Sequence, residues 1–241
     1  MSDVHDFEAR LRYRLLHRIR RNYETTSRLI DIGPFWFDFT SVANPDLVLD
    51  QVAAKVDLEE RLHGPLPADT PMHLPYWAEL WDSAAGIGLH LTQRQEPIGQ
   101  NVLDLGCGMG LAGTVAAAMG AHVMFADLER PALLFARLNS LPWRRHVRTR
   151  QLDWRRDQLG ERFDLIIGSD ILYEKSQWEF LEPFWRGHLA DCGSVLLGEP
   201  GRATGGMFIE WIQRRGWTIE VSEQPVKTRP MPIRLLTIRM I

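Results

Sequence analysis

One stretch, NVLDLGCGMGLAG at Asn101–Gly113, constrains the fold more than any other part of this 241-residue chain. Its apolar start, Val102–Leu105, is typical of a buried parallel strand. The strand runs into Gly106, Gly108 and Gly110, and small, helix-compatible residues come next. Glycines allow a tight turn and let a ligand approach bare backbone. A strand, a glycine turn and a helix start in this order predict a nucleotide cradle whose free N–H groups point at the ligand.

Two carboxylates narrow the choice of ligand. Asp104 lies inside the predicted strand, two positions before the first glycine, where it would repel a pyrophosphate and attract a cation. Asp127 lies 23 residues further on, at the end of a second apolar run, and is placed to accept hydrogen bonds from ribose hydroxyls. An adenosyl ligand with a positive centre and no phosphate is S-adenosylmethionine, which we expect as the cofactor. A dinucleotide of the dehydrogenase type, or a turn that binds no ligand, remain as alternatives.

Composition and charge limit the class of protein. An apolar content of 45% and a charged content of 24% are typical of a globular domain, and the length suits one α/β domain with an extension. The net charge of −3 gives no reason to expect nucleic acid or a membrane as a partner. Neither Cys107 nor Cys192 has metal-ligand spacing, so we expect no metal site and no disulfide. The N-terminus does not resemble a signal peptide and no stretch is long enough to cross a bilayer, so we expect a cytoplasmic protein of unknown oligomeric state.

Residues 1–73 are predicted to form a partly helical extension. Apolar residues four apart make one helix stripe, Leu11, Leu15, Ile19 and Tyr23. Six arginines surround that stripe, which we interpret as a solvated face, with docking of an acidic protein or RNA as the alternative. An aromatic-rich stretch over 30–56 contains a short predicted helix, Asp46–Ala54. A proline-rich loop, Gly64–Pro75, leads into the main domain at 74–241.

The segment ahead of the glycine turn, LPYWAELWDSAAGIGLHL, is also informative. A helix to Leu91 is predicted to be capped by Asp82 or Ser83. Aromatic rings come just before it, and aromatic faces attract a cationic sulfonium by roughly 0.5–2 kcal/mol. We interpret Trp77 as a packing residue, whereas Trp81 fits packing and cofactor contact equally well.

From Asn101 onward, predicted strands and helices alternate, which indicates a doubly wound sheet. The predicted parallel strands are Val102–Leu105, His122–Ala126, Val147–Leu152, Phe163–Gly168 and Ser194–Gly198. The predicted helices are Arg130–Ser140, Gln177–His188 and Met207–Arg215, and two closing strands are Thr218–Val221 and Ile233–Met240. Polar residues follow the strand ends and should line one edge, where ligands bind in such sheets. These residues are Asp104 to Gly110, Asp127, Asp153-Trp154, Asp170 to Tyr173 and Glu199 to Arg202.

Taken together, DLGCG, LDW after the third strand and SDILY after the fourth resemble the class I methyltransferases. The segment WDSA at 81–84 is similar to family 16, known largely as protein lysine methyltransferases. GEPGR at 198–202 resembles the GDPGR of the branch that acts on the electron-transfer flavoprotein β subunit, with Glu199 in place of the usual Asp. The resemblance covers Leu74 to Ile241 and implies a seven-stranded, mostly parallel, Rossmann-like sheet.

The resemblance also implies residue roles. The cofactor-binding residues would be Trp81, Asp104, Gly106, Gly108, Asp127, Leu128, Asp153, Trp154 and Ser169. Among them, Asp127 would bind the ribose and Trp154 would pack beside the adenine, with Asp153 near its amino group. Trp81 would close over the methionine end. Asp170 and Tyr173 would be catalytic, and Glu199 and Arg202 would contact the substrate.

The resemblance implies methyl transfer to a lysine of a protein substrate. A small-molecule amine or another metabolite as acceptor, and a non-catalytic module that keeps the cofactor fold, are the alternatives. Asp170 is expected to orient the amine, unless it only caps a helix. Tyr173 is expected to hydrogen-bond the amine, unless it only packs at the rim. The sequence assigns no general base.

Overall fold

The computed structural model describes residues 2–64, 74–95 and 99–241. The chain begins with helix α1 (Ser2–Ile19), followed by an antiparallel hairpin of β1 (Thr25–Ile32) and β2 (Phe35–Val42), and then by helix α2 (Pro45–His63). Part of the predicted proline-rich loop, residues 65–73, lies outside the described residues. In α1, Leu15 and Ile19 are buried and continue the core of the main domain, as the predicted stripe requires.

The hairpin was not predicted, although its signal was present. In β2 the residues Phe37 and Phe39 are buried while Trp36 and Asp38 are exposed, which is the period-two alternation of a half-buried strand. Gly33 takes a φ of 59° in the connecting turn, a conformation that glycine adopts without strain. Helix α2 is also longer than predicted, and Val48 is its one buried residue among those described.

The main domain is a seven-stranded sheet with helices on both faces. The strands are β3 (Asn101–Leu105), β4 (His122–Asp127), β5 (Val147–Gln151), β6 (Phe163–Ser169), β7 (Leu189–Glu199), β8 (Trp217–Gln224) and β9 (Ile233–Met240). Their order is β5-β4-β3-β6-β7-β9-β8, with β9 antiparallel to its neighbours. The predicted doubly wound, mostly parallel sheet is therefore confirmed, and the order reverses between β3 and β6.

The helices of the main domain are α3 (Asp82–Gln93), α4 (Leu111–Ala118), α5 (Arg130–Asn139), α6 (Lys175–His188) and α7 (Ala203–Gln213). Short 3-10 turns cover Tyr76–Ala78 and Leu141–Trp143. The predicted side-chain cap of α3 is wrong: the N-cap residue is Trp81, which makes no side-chain cap bond, and Asp82 accepts a hydrogen bond from Thr228 instead. Helix α7 begins four residues earlier than predicted.

A buried amide joins the N-terminal hairpin to the glycine turn. Asn139, at the end of α5, accepts from Thr40 N–H at 2.9 Å and donates to Thr40 C=O at 3.0 Å. The same Nδ2 donates to Met109 C=O at 2.9 Å. Since Met109 lies between two glycines of the turn, the extension and the predicted cofactor loop share one polar link.

We expect Asn139→Ala to lower the free energy of unfolding by roughly 2–4 kcal/mol, because it leaves three buried backbone groups without this partner. Urea unfolding followed by circular dichroism measures the change. Arg137→Ala, an exposed position of the same helix, is the control and should change stability by less than about 0.5 kcal/mol. Equal free energies of unfolding for the two variants would show that the buried hydrogen bonds of Asn139 do not contribute to stability.

Candidate active site

A cavity of about 540 Å³ lies at the carboxyl ends of β3, β4, β5 and β6. This is the edge of a doubly wound sheet at which ligands bind, and the volume is in the range of small-molecule sites. The sequence-predicted site residues that line it are Trp81, Gly106, Gly108, Asp127, Leu128, Asp153, Trp154, Ser169, Asp170 and Tyr173. Asp104, Glu199 and Arg202 are not among its lining residues.

The glycine turn follows β3 and has the left-handed backbone that its sequence predicts. Gly106, Gly108 and Gly110 have φ values of 66°, 52° and 83°, which side-chain-bearing residues rarely adopt. Helix α4 then starts at Leu111, which lines the cavity and whose backbone N–H has no intrahelical partner. The turn is a cradle into which a polar ligand can dock against backbone.

Asp104 lies behind this cradle instead of facing the ligand, which corrects the expected direct contact. Its side chain is buried, and its Oδ2 accepts from Gly113 N–H at 2.9 Å. A methyl group on Gly113 would come within 2.4 Å of Phe125, so only glycine allows this approach. Asp104 Oδ1 has no partner among the described residues. Burial raises the pKa of Asp104 to about 7, and the charge of Asp127 adds to that effect.

Asp127 at the end of β4 does line the cavity and also holds the turn. Its Oδ2 accepts from Gly108 N–H at 2.9 Å, and its Oδ1 accepts from Glu129 N–H at 2.9 Å. Each carboxylate oxygen can accept a second hydrogen bond, so a ribose diol still fits. Burial raises the pKa of Asp127 to about 6, although both backbone donors oppose that rise.

Asp153 and Trp154, which follow β5, line the next part of the cavity. Both Asp153 oxygens are bound by the Arg155 guanidinium, at 2.9 and 2.8 Å, and this partner lowers the pKa of Asp153. A contact with an adenine amino group would therefore have to use the remaining lone pairs. Trp154 donates its indole N–H to Gln177 at 3.1 Å, and its ring lies close to Gly106. An apolar ring is thereby held beside the cradle.

The mouth of the cavity carries three aromatic rings, and the central ring, Tyr76, contacts the other two edge to face. Tyr76 lies 5.4 Å from Tyr173 and 6.2 Å from Trp81, measured between ring centroids. Trp81 is fixed further by its indole N–H, which donates to Tyr76 C=O at 2.9 Å. Trp77 packs against Tyr23 and Phe135, as expected, but it also lines the cavity.

Other lining residues were not assigned to the site from the sequence, among them Tyr76, Glu129, Arg155 and Gln177. Tyr76 had a signal, because it stands in the same aromatic cluster as Trp81. Glu129 and Arg155 lie only two positions beyond the strand-end aspartates that were assigned. Gln177 comes from helix α6, and no local pattern marks it.

Asp170 follows β6 and is held in an uncommon backbone conformation. Its φ is 55°, the one positive value among the described non-glycine residues, and its N–H donates to Gly198 C=O at 2.8 Å. The carboxylate is buried and accepts from Arg202 Nε at 3.2 Å and Nη2 at 2.8 Å. Asp170 is not a helix cap, because the N-cap residue of α6 is Glu174. The helix-cap alternative is therefore wrong.

The neighbours of Asp170 complete the rim. Ser169 lines the cavity with a buried hydroxyl that has no partner among the described residues. Tyr173 is 42% exposed, and burial of its remainder raises the pKa of its phenol to about 12. The phenol therefore keeps its proton at neutral pH and can donate a hydrogen bond or accept one.

Glu199 is not at the predicted substrate surface. It is 1% exposed, forms an ion pair with Arg234, and accepts from the backbone N–H groups of Gly201 and Arg202 at 2.9 Å each. The side chain of Arg202 reaches the rim through Asp170. Glu199 thus acts on the loop that carries Arg202 and does not contact a substrate.

The residues present fit S-adenosylmethionine. The cradle offers backbone donors and the wall offers an acceptor carboxylate at Asp127, while Asp104 Oδ1 and Ser169 Oγ are buried polar atoms that no described residue hydrogen-bonds. A buried carboxylate behind the turn disfavours a pyrophosphate and favours a cation. The described residues contain no group of three His, Cys, Asp or Glu side chains that could hold a metal ion. No described helix is both long and apolar enough to span a membrane.

Comparisons with known proteins agree with this geometry. A family model described as lysine methyltransferase matches residues 76–203. The electron transfer flavoprotein beta subunit lysine methyltransferase of Danio rerio is 28% identical over 192 residues, 76% of this chain and 73% of that protein. Protein N-lysine methyltransferase METTL21A of Mus musculus is 34% identical over 133 residues, which is 50% of this chain and 58% of that protein.

Solved structures share the fold. The glycopeptide N-methyltransferase MtfA complexed with S-adenosyl-L-methionine has a TM-score of 0.56 at 18% identity, covering 73% of this chain and all of that chain. The DhpI–SAH complex has a TM-score of 0.55 at 17% identity, covering 81% of this chain and 96% of that chain. The family model covers more than half of the chain. The chain therefore belongs to the lysine methyltransferase family, with a class I fold and S-adenosylmethionine as its cofactor.

Proposed function

We propose that this chain transfers a methyl group from S-adenosylmethionine to the side-chain amine of a lysine in a protein. The observation that carries the proposal is the position of Asp170: a buried carboxylate in a left-handed turn at the rim of the cofactor cavity, three residues from Tyr173. Strained backbone of this kind costs about 1–3 kcal/mol and is typical of functional sites. The protein relatives named above support a protein acceptor.

In this proposal the cradle binds the cofactor through backbone N–H groups, Asp127 accepts the ribose hydroxyls, and Trp154 packs beside the adenine. Leu128 and Leu152 supply apolar walls. The negative charge of Asp104 favours the cationic end, and the Trp81 ring favours it through its quadrupole. When bound, the cofactor supplies an electrophilic methyl group on a sulfonium. The protein orients the two reactants and excludes water.

The acceptor must reach the methyl group as a neutral amine, whereas a free lysine has a pKa of about 10.4. Burial of the amine in the cavity disfavours the ammonium, because desolvation penalises the charged form. Asp170 then orients the amine, and the Tyr173 phenol hydrogen-bonds it. The nitrogen lone pair forms the new N–C bond as the C–S bond breaks, and that electron pair stays on sulfur. The methylated nitrogen afterwards releases its extra proton to solvent.

The 1–73 segment is assigned to acceptor selection. Support comes from helix α2, which is mostly exposed and contacts the 3-10 turn Tyr76–Ala78 next to the cavity mouth. Because Tyr76 is at the mouth, a protein bound against α2 would lie beside the reacting end of the site. We also propose a cytoplasmic location, supported by two unpaired cysteines, one buried and one exposed.

Replacing Asp170 with asparagine tests the acceptor site. Asparagine tolerates the left-handed backbone, so this variant removes the charge and keeps the turn. We expect methyl transfer to fall at least about 100-fold while the affinity for S-adenosylmethionine, measured by calorimetry, changes less than about threefold. Glu179→Gln, on the exposed face of α6, is the control. Full activity in Asp170→Asn would remove this residue from the reaction.

Radiolabelled S-adenosylmethionine, incubated with the protein and a cytosolic extract, tests the acceptor class. We expect label in a protein band, and hydrolysis of that band should release methylated lysine. Label confined to small molecules would replace the protein acceptor by a metabolite. An absence of any label while the cofactor binds would indicate a non-catalytic module.

The raised pKa values of Asp104 and Asp127 predict pH-dependent cofactor binding. A cationic ligand favours the ionised carboxylates, so binding strengthens as pH rises towards about 8 and then levels off. With Asp104 titrating near pH 7, the affinity should rise roughly fivefold between pH 6 and pH 7, with up to about another twofold from Asp127. In Asp104→Asn, only the smaller, roughly twofold rise in affinity that comes from Asp127 should remain. Calorimetry measures both, with exposed Asp191→Asn as the control; an unchanged slope in Asp104→Asn would contradict the assignment.

A further inference from the structure

We propose that Arg202 makes the site select the uncharged form of the acceptor amine, and that Glu199 is the positioning residue that holds Arg202 in place. The inference deepens the proposed lysine methylation and rests on it. Neither role follows from the sequence, in which both residues were expected to contact the substrate.

The first observation is where the Arg202 guanidinium lies. It binds both oxygens of Asp170, whose side chain is 4% exposed, while the Arg202 side chain is 43% exposed. The same guanidinium lies 5.8 Å from the centroid of the Trp81 ring. Since Asp170 and Trp81 both line the cavity, a fixed positive charge stands at the rim where the acceptor enters.

The second observation is that the protein builds a support for this charge. Glu199 Oε2 accepts the backbone N–H groups of Gly201 and Arg202, and its Oε1 pairs with Arg234. Arg234 also donates to Arg202 C=O at 3.2 Å. A methyl group on Gly205 would come within 2.7 Å of Glu199, so this arrangement depends on a glycine at the start of α7. The loop is therefore held at the turn from which Arg202 reaches Asp170.

The third step is electrostatic. A lone carboxylate as deeply buried as that of Asp170 would stabilise the incoming lysine ammonium, which has no lone pair with which to attack. Arg202 neutralises that carboxylate and repels a second cation. A charge within about 4–6 Å shifts a neighbour's pKa by roughly 1–3 units. The ion pair therefore weakens the attraction of the site for the protonated acceptor. It also increases the fraction of bound acceptor that is present as the nucleophilic, neutral amine.

Other charged groups of both signs lie around the rim, including Glu79 and Glu129 of the cavity lining, but Arg202 is the one cation paired with Asp170 among the described residues. Those facing Arg202 are Asp170, Glu199 and Tyr76, and those facing Tyr173 are Glu174, Tyr76, Asp127 and Asp170. Glu199 is paired with Arg234, and Glu174 accepts from Gln177. Arg229, which donates to Pro200 C=O, adds positive charge on the same side.

The test compares pH profiles of wild type, Arg202→Gln and Arg202→Lys. The probe is the protein band labelled in the extract assay above, at low acceptor concentration, with initial rates measured from pH 6 to pH 10. The rising limb of each profile is the pH range over which the rate increases as the amine loses its proton. We expect this limb to shift to higher pH by about 1 unit or more in Arg202→Gln, which gives roughly tenfold less label at pH 7 and recovery by pH 9–10. Arg202→Lys keeps a cation and should return the profile towards wild type.

Further variants separate selection from structural damage. Glu199→Gln should move the limb in the same direction by a smaller amount, and Glu179→Gln should leave it in place. Circular dichroism and calorimetry with S-adenosylmethionine should match wild type in every variant. A uniform loss across all pH values in Arg202→Gln, a limb that does not move, or an Arg202→Lys profile equal to that of Arg202→Gln would overturn the inference. No label with wild type would instead contradict the proposed function.

Discussion

Two buried carboxylates at the ends of adjacent strands determine the shape of the cofactor site. Asp104 binds the backbone of α4 at Gly113, and Asp127 binds the turn at Gly108. Each interaction places a negative charge where burial makes it costly, and burial raises the pKa values of Asp104 and Asp127 to about 7 and about 6. A cationic ligand offsets it, whereas an anionic one would increase it. The cradle is thus suited to a sulfonium donor by charge as well as by shape.

A second set of charges surrounds Asp170 at the rim of the cavity. Arg234 and Glu199 are anchored on β9 and β7, the loop after β7 carries Arg202, and Arg202 reaches Asp170 after β6. The charges behind the glycine turn and those at the rim differ in net charge and in the ligand that they favour. Behind the glycine turn an unpaired carboxylate favours a cation, while at the rim a paired one does not. Such a division would let one cavity attract a charged donor and still favour an uncharged acceptor.

Local sequence patterns predicted the sheet well because most of its parallel strands are short apolar runs followed by a polar strand end, although β5 is largely polar. The strand order places those ends on one edge, so Asp127, Asp153 and Asp170 come together although they are far apart in the chain. The features that could not be predicted from the sequence depend on where a side chain points and on partners that are far away in the chain. Asp104 shares the strand end but points behind the turn, and Glu199 points into the interior towards Arg234. No local pattern specifies these contacts, because each partner belongs to another element.

The N-terminal hairpin shows a different reason for a missed element. In β2, exposed and buried residues alternate over Trp36–Phe39, but Thr40 is buried as well, aromatic residues occupy both faces, and Trp36 remains 68% exposed. Polarity alone therefore did not separate the two faces. The hairpin is held to the rest of the fold by the bond of Thr40 to Asn139, a contact between residues 99 positions apart. Tertiary packing, not propensity, decides such short strands.

The charge and shape of this cavity favour a cationic adenosyl donor. Titration calorimetry with unlabelled ligands tests that preference most directly. At pH 7.5 we expect S-adenosylmethionine to bind at one site per chain, and an oxidised nicotinamide dinucleotide to give no heat of binding. Binding of the dinucleotide in the absence of any binding of S-adenosylmethionine would contradict the account.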